Sequence, residues 1–285
     1  MQGMTEQTEV LDYQTYRYGR SKQRFRGPRP DLSQPYIAFI GGSEPFGKYV
    51  PKPFPMQLQE RLNFACANWG TPGAGPSFFL RDPVVLEACS NSKVCVISVM
   101  GAVAMSNRMY SVFKRRNSRV REVSATLKAL YPNMALGDFR FAHNMLRKLH
   151  QQNPNNFKVL EIELREAWKA RMRELLEEIE TTRVLLWMSS RAPEEEPHAK
   201  DPESFTSAPA FVNREMLEAV APMADILVEY VAGHGVAHKP GDGRIFPEEK
   251  ADAALRYPGM TMHNQVADLL EEPLRQIISI NQPLM

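Results

Sequence analysis

Ser43 is the residue in this chain best placed to serve as a nucleophile. It lies in the run Gly41-Gly42-Ser43-Glu44, directly after the apolar stretch Tyr36 to Ile40. Two glycines let the backbone turn sharply and leave amide hydrogens exposed. A serine on such a turn presents its hydroxyl at a strand end. It then needs a base to take its proton and donors to hold an oxyanion. The same residues also suit a plain strand-to-loop turn in which Ser43 caps the next segment. A second glycine-dense loop, Asn68-Trp69-Gly70-Thr71-Pro72-Gly73-Ala74-Gly75, follows a second apolar stretch. Asn68 offers a side-chain amide and Gly70 a backbone amide to the same centre, or both simply turn the chain.

Other residues suit anions. Gly42, four further residues, Gly47 and Lys48 approach the spacing of a phosphate-binding loop. Tyr49 stands where a magnesium-binding Ser or Thr belongs, and Pro51 and Pro53 oppose the helix that must follow. A true phosphate loop is therefore not expected, but Lys48 remains a candidate anion ligand. Arginine forks match phosphate, sulfate and carboxylate. Arg17, Arg20, Lys22, Arg24, Arg26 and Arg29 crowd the N-terminal arm among Tyr16, Tyr18 and Phe25. Arg108, Lys114, Arg115, Arg116, Arg119 and Arg121 follow the third strand, where Arg108 and Arg115 could border a site. Solvated surface and salt bridges to the acidic stretch 161–180 explain the same clusters. A nucleic-acid partner is not expected, because aromatics beside prolines more often dock on the core. His143 and His150, seven apart, and His234 and His238, four apart, lack a third ligand. No metal or other cofactor is expected.

The elements that must position these residues read as an alternation. Strands are expected at 35–41, 64–68, 93–100, 183–188 and 225–232, each nearly continuous in apolar residues, as strands buried on both faces should be. Helices are expected at 54–63, from Asp82-Pro83 onward, at 121–130, 139–150, 157–181, 214–223, 248–256 and 262–278. Strands alternating with helices imply right-handed crossovers and a mostly parallel sheet. Ligands in such folds bind beyond the carboxyl ends of the strands. Gly42, Asn68, Gly101 and Ser189 fall there, and His263 follows the last strand. Residues 190–209 read as a loop. Residues 1–34 form a polar, basic arm. Residues 35–285 form one domain with a helical insertion at about 115–180.

Bulk properties set limits. The chain has 285 residues, 43% hydrophobic and 24% charged, enough for a full core without staples. Its net charge of +2 selects no partner class. Three cysteines without framework spacing, and a polar residue 1–10 stretch unlike a signal peptide, lead to the expectation of a cytoplasmic setting. No apolar run is long enough to span a membrane.

Taken together, the Gly-Gly-Ser turn, Asn68-x-Gly70, Gly101 and the late His263 resemble the SGNH (GDSL-like) hydrolase superfamily. That resemblance implies a three-layer α/β/α sandwich of SGNH or flavodoxin type. It implies Ser43 as nucleophile, Gly70 and an asparagine as oxyanion donors, and His263 as base. Gly42 stands where the family has an aspartate, Val103 where it has the asparagine, and Met260 where it has the aspartate that supports the histidine. Asn107 is the next asparagine after Gly101. The chain also resembles an uncharacterised bacterial family of unknown function. The segments that carry this likeness are Tyr16-Arg17-Tyr18-Gly19-Arg20-Ser21, Arg24 to Pro28, Gly41 to Glu44, Asn68-Trp69-Gly70 and Met105 to Val112.

Two functions follow as expectations. One is a serine esterase or acyltransferase acting on a carbohydrate or other polar ester, with Ser43, His263, Gly70 and Asn107 as its machinery. The other is a noncatalytic or transferase-type anion-binding protein for a nucleotide, sulfate donor or acidic glycan. Gly42, Glu44, Lys48, Asn68, Gly101, Arg108 and Arg115 would then line the ligand site. In either case the expected partner is a small molecule or glycan, anionic in the second reading.

Overall fold

The computed structural model describes residues 11–114, 116–195, 208–237, 239 and 241–280. Five strands form one parallel sheet: β1 (Tyr36–Ile40), β2 (Ala65–Asn68), β3 (Val94–Ser98), β6 (Thr182–Ser189) and β7 (Ile226–Val231). Their spatial order is β2-β1-β3-β6-β7. A separate antiparallel hairpin pairs β4 (Tyr110–Phe113) with β5 (Arg116–Val123).

The sheet is buried on both faces because its strands are apolar at successive positions. Ala38, Ile40, Cys95, Ile97, Leu185 and Trp187 face one layer. It contains α4 (Pro83–Ser90), α6 (Ala142–Gln152) and the long α7 (Pro154–Glu178). Ile37, Phe39, Val94, Val96, Val184 and Leu186 face the other. There Phe54 and Leu58 of α2 (Phe54–Leu62) pack with Val266, Leu270 and Leu274 of α11 (Met260–Ile280). The result is the expected three-layer α/β/α sandwich.

Local chemistry sets the helix starts. Asp82 caps α4 by accepting from the Val85 N–H, and its other oxygen accepts from the Ser21 hydroxyl at 2.6 Å. Asn153 caps α7 by accepting from the N–H groups of Asn155 and Asn156, and Pro154 fills the first turn. The Ser21 bond, the buried Phe25 and the Tyr16–Phe25 bridge dock the arm on the core.

Three expectations change. The insertion between β3 and β6 opens with the β4–β5 hairpin, so Arg121 to Val123 are strand rather than helix. Tyr110 pairs with Val123 and Val112 with Val120, which buries the apolar face of the hairpin. Ser124 then caps α5 (Ala125–Leu130) by accepting from the Leu127 N–H. The expected helix at 214–223 stops as α8 (Arg214–Glu218), and Pro222 lies in a short 3-10 turn. The expected helix at 248–256 shortens to α10 (Ala251–Ala254). Much of the 190–209 loop lies outside the described residues, as does His238. No helix among the described residues is long and apolar enough to cross a membrane.

Two further four-residue helices, α1 (Ser43–Phe46) and α3 (Pro76–Phe79), follow β1 and β2. The chain fits closely where α1 crosses the end of β2. A β-carbon on Gly70 would meet the Phe46 backbone nitrogen at 2.5 Å. Gly70→Ala must therefore push α1 off the sheet. A loss of about 2 kcal/mol is expected in urea unfolding. Wild-type stability in that variant would show that α1 is not packed there.

Candidate active site

The strand order reverses between β1 and β3: the chain leaves β1 toward β2 on one side, and later strands add on the other. The connections diverge at such a reversal and leave a crevice beyond the carboxyl ends. A cleft of about 490 Å³ occupies that position. Gly42, Ser43 and Glu44 line it from the turn after β1, and Val99, Met100 and Gly101 from the turn after β3. The other walls come from Lys48, from Pro72 to Ala74, from Ser118 of β5, from Phe141 and His143 at the start of α6, and from Arg256 and Tyr257 after α10. The turn after β3 is fixed from behind. The Trp168 indole donates to the Met100 carbonyl at 2.6 Å, and the Ala102 N–H donates to Ala210 at 2.9 Å.

Ser43 is half-buried, while Glu44 beside it is buried. No cation forms an ion pair with Glu44 among the described residues. Burial pushes its carboxyl up to about 7, and its own backbone N–H offsets this only in part. The carboxyl lies over Gly42: a β-carbon at position 42 would come within 2.7 Å of Oε2. A side chain at 42 and the Glu44 carboxyl therefore compete for one space. That carboxyl sits next to the peptide unit that carries Ser43.

Lys48 is half-buried and meets aromatic groups in place of an acid. Its ammonium donates to the Tyr257 hydroxyl at 3.0 Å and lies 4.3 Å from the Tyr257 ring centre and 5.1 Å from that of Tyr49. Burial works against its charge, but the Tyr257 hydroxyl and the neighbouring tyrosines outweigh this and raise its pKa. Two buried arginines hold the segments on either side. Arg26 donates to the carbonyls of Phe46, Gly47 and Pro51. Arg244 donates to the Tyr257 carbonyl through both Nε and a terminal nitrogen, at 3.0 and 2.8 Å. His143 faces the cleft from α6, and its pKa is lowered by burial and by Arg147 and Arg256.

The structure brings Gly42, Ser43, Glu44, Lys48 and Gly101 together around the cleft. The other expected site residues that the structure describes are elsewhere. His263 is fully buried against α2, where its Nδ1 accepts from the Phe54 N–H at 3.2 Å and its ring stacks on Phe54. It caps a helix and does not line the cleft. Burial first, then Arg26 and Arg244, lower its pKa to about 3, so it stays neutral. The Gly70 N–H is taken by the Asn68 side-chain oxygen at 3.0 Å, while the Asn68 amide nitrogen donates to the Pro45 carbonyl at 2.5 Å. Both residues anchor α1 and are spent on the turn. The Asn107 side-chain oxygen accepts from the N–H groups of Met109 and Tyr110, turning the chain into β4. Arg108 pairs with the buried Glu163 of α7, its Nε donating at 2.6 Å. Arg115 lies outside the described residues.

His143, Arg256 and Tyr257 are cleft residues that the sequence did not single out for this site. In the sequence His143 stands out only as one of a histidine pair seven apart, and nothing in its spacing links it to Ser43. Among the described residues no group of His, Cys, Asp and Glu is arranged to hold a metal.

The neutral state of His263 gives a pH prediction. Its folded pKa of about 3 lies below its ordinary value of 6.5, so the unfolded chain binds the extra proton between those limits. Its contribution is present above pH 6.5 and is lost as pH falls toward 3. The expected cost is on the order of 4 kcal/mol across that window. Urea unfolding of wild type and His263→Gln at pH 7 and pH 4 measures it. The variant should be weaker at pH 7, with the gap closing at pH 4; a constant gap would contradict the neutral cap.

Comparison with known proteins adds the family. A lipase from a goat rumen metagenome aligns at 9% identity over 84% of this chain and 97% of its own, with a TM-score of 0.42. A catalytic mutant of Axe2, an acetylxylan esterase from Geobacillus stearothermophilus, aligns at 13% identity over 86% and 94%, with a TM-score of 0.43. Likeness at this level assigns neither residues nor activity. No curated protein matches the chain. Residues 1–278 match the family described as Domain of unknown function (DUF6473), so the expected membership in a family of unknown function is borne out and the chain belongs to that family.

Proposed function

We propose that the cleft is the active site of an ester hydrolase or acyltransferase in which Ser43 is the nucleophile and Glu44 its proton acceptor. The observation that carries this reading is the Glu44 carboxyl, buried without a cation beside the Ser43 peptide and titrating near 7. A base poised near the working pH is what serine activation requires.

The chemistry runs in two halves. The Ser43 oxygen attacks the ester carbonyl carbon as its proton passes to the Glu44 carboxylate. Gly42 and Gly101 line the cleft, and in this scheme their backbone N–H groups supply the oxyanion donors. The carbon–oxygen bond to the alcohol then breaks, and Glu44 returns the proton to the leaving oxygen. Water, giving a proton to Glu44, then attacks the acyl carbon, the bond to the Ser43 oxygen breaks, and Glu44 returns the proton to that oxygen; a second alcohol in place of water completes transfer. His263 has no part in this scheme, because it is locked beneath α2.

Labelling with a fluorophosphonate, followed by peptide mapping, tests the assignment. Wild type should take one label on Ser43, and Ser43→Ala none. The rate should rise as pH passes through about 7, where Glu44 loses its proton. Glu44→Gln should slow labelling by about a hundredfold or more and abolish that rise. An unlabelled but folded wild type would overturn the hydrolase reading. A Glu44→Gln variant that labels at the wild-type rate would overturn the role of Glu44.

A further inference from the structure

The charges around the cleft are unbalanced. Among the described residues Glu44 is the only acidic one that lines it, and burial keeps it largely neutral below about pH 7. Lys48 and Arg256 line it as cations. Among the described residues neither forms an ion pair with a carboxylate. Arg147 lies one turn beyond His143 on α6, and its Nε is buried without a hydrogen-bond partner.

Lys48 is held ready for a ligand. An ammonium has three donors, and the Tyr257 hydroxyl takes one. The aromatic faces of Tyr49 and Tyr257 fix its position. Arg26 and Arg244 hold the flanking backbone by donating to its carbonyls. The Tyr257 hydroxyl and the neighbouring rings keep the ammonium charged without neutralising it, so its charge stays available to an anion. Arg256 is exposed at the rim and leaves its fork unused. A point charge and a planar fork lining one cleft match a group with three acceptor oxygens better than a carboxylate with two.

We propose that the cleft recognises its ligand through a tetrahedral oxyanion, a phosphate or sulfate group, held by Lys48 and Arg256. This rests on the cleft being the substrate site; with the esterase reading, it makes the substrate a phosphorylated or sulfated ester.

Inorganic phosphate and sulfate are the probes, with calorimetry and thermal melting of the full chain at pH 6.0, below the Glu44 value of about 7. Chloride at matched ionic strength is the control. Saturable binding and a raised melting temperature are expected with both oxyanions and not with chloride. Lys48→Gln and Arg256→Gln should each weaken the Kd about tenfold. Lys128→Gln, on the exposed side of α5, should bind as wild type does. Arg256 is exposed, so its variant decides the matter even if Lys48→Gln unfolds. Equal stabilisation by chloride, or wild-type affinity in the Arg256 variant, would overturn the proposal. Phosphate binding without Ser43 labelling would keep this inference and remove the hydrolase reading. Labelling without phosphate binding would do the reverse.

Discussion

The parallel ladder between β1 and β3 is the constraint on which the cleft depends. Its register, from Ile37 with Val94 to Ile40 with Ile97, brings both strands to their ends side by side. Gly41 comes so close to β3 that a β-carbon there would meet the Ser98 side chain at 2.7 Å, and its φ of +150° is one that other residues rarely adopt. From that point one connection turns toward β2 and the other away from it. Ser43 and Gly101 therefore face a common space although 58 residues of sequence separate them. A slip of one residue in this ladder would turn every core side chain to the opposite face, so burial on both sides pins the geometry.

Burial then sets the charge states. Among the described residues three ionisable groups near the cleft lie in or beside the core without an ion-pair partner, Glu44, Lys48 and Arg26, while the buried Arg244 has Asp242 close by. The arginines keep their charge by donating to backbone carbonyls, and the lysine by donating to a phenol beside aromatic faces. Glu44 has no such help beyond its own N–H, so it moves toward neutrality. Ionising it above pH 7 costs about 3 kcal/mol relative to an ordinary carboxylate. That is a large share of a domain's stability, and a carboxyl kept at that cost beside a serine suits a proton acceptor.

Much of the sheet was legible because its strands are long apolar runs bounded by glycine, proline or asparagine. The turn after β1 was legible for the same reason: Gly41 and Gly42 mark a backbone that must bend. The β4–β5 hairpin was not, because charged residues at 114–122 interrupt its alternation and mimic a helix surface. His263 misled because its place in the chain matched a familiar pattern, while its environment is set by the contact of α11 with α2, which no local pattern encodes. Asn68, Gly70 and Asn107 are polar and glycine residues of the right kind, yet local hydrogen bonds take the Asn68 amide, the Gly70 N–H and the Asn107 side-chain oxygen. The rim from His143 to Tyr257 comes from elements far apart in sequence and becomes visible only once the sheet assembles them.

The most direct test of this account is the ionisation of Glu44 itself. Carbon-13 NMR of carboxyl-labelled protein, with Glu44→Gln to assign the resonance, follows that single group through pH. The account predicts an apparent pKa near 7. A value at the ordinary 4.5 would mean a solvated carboxylate, and Glu44 could then be neither the buried group described here nor a base tuned for Ser43.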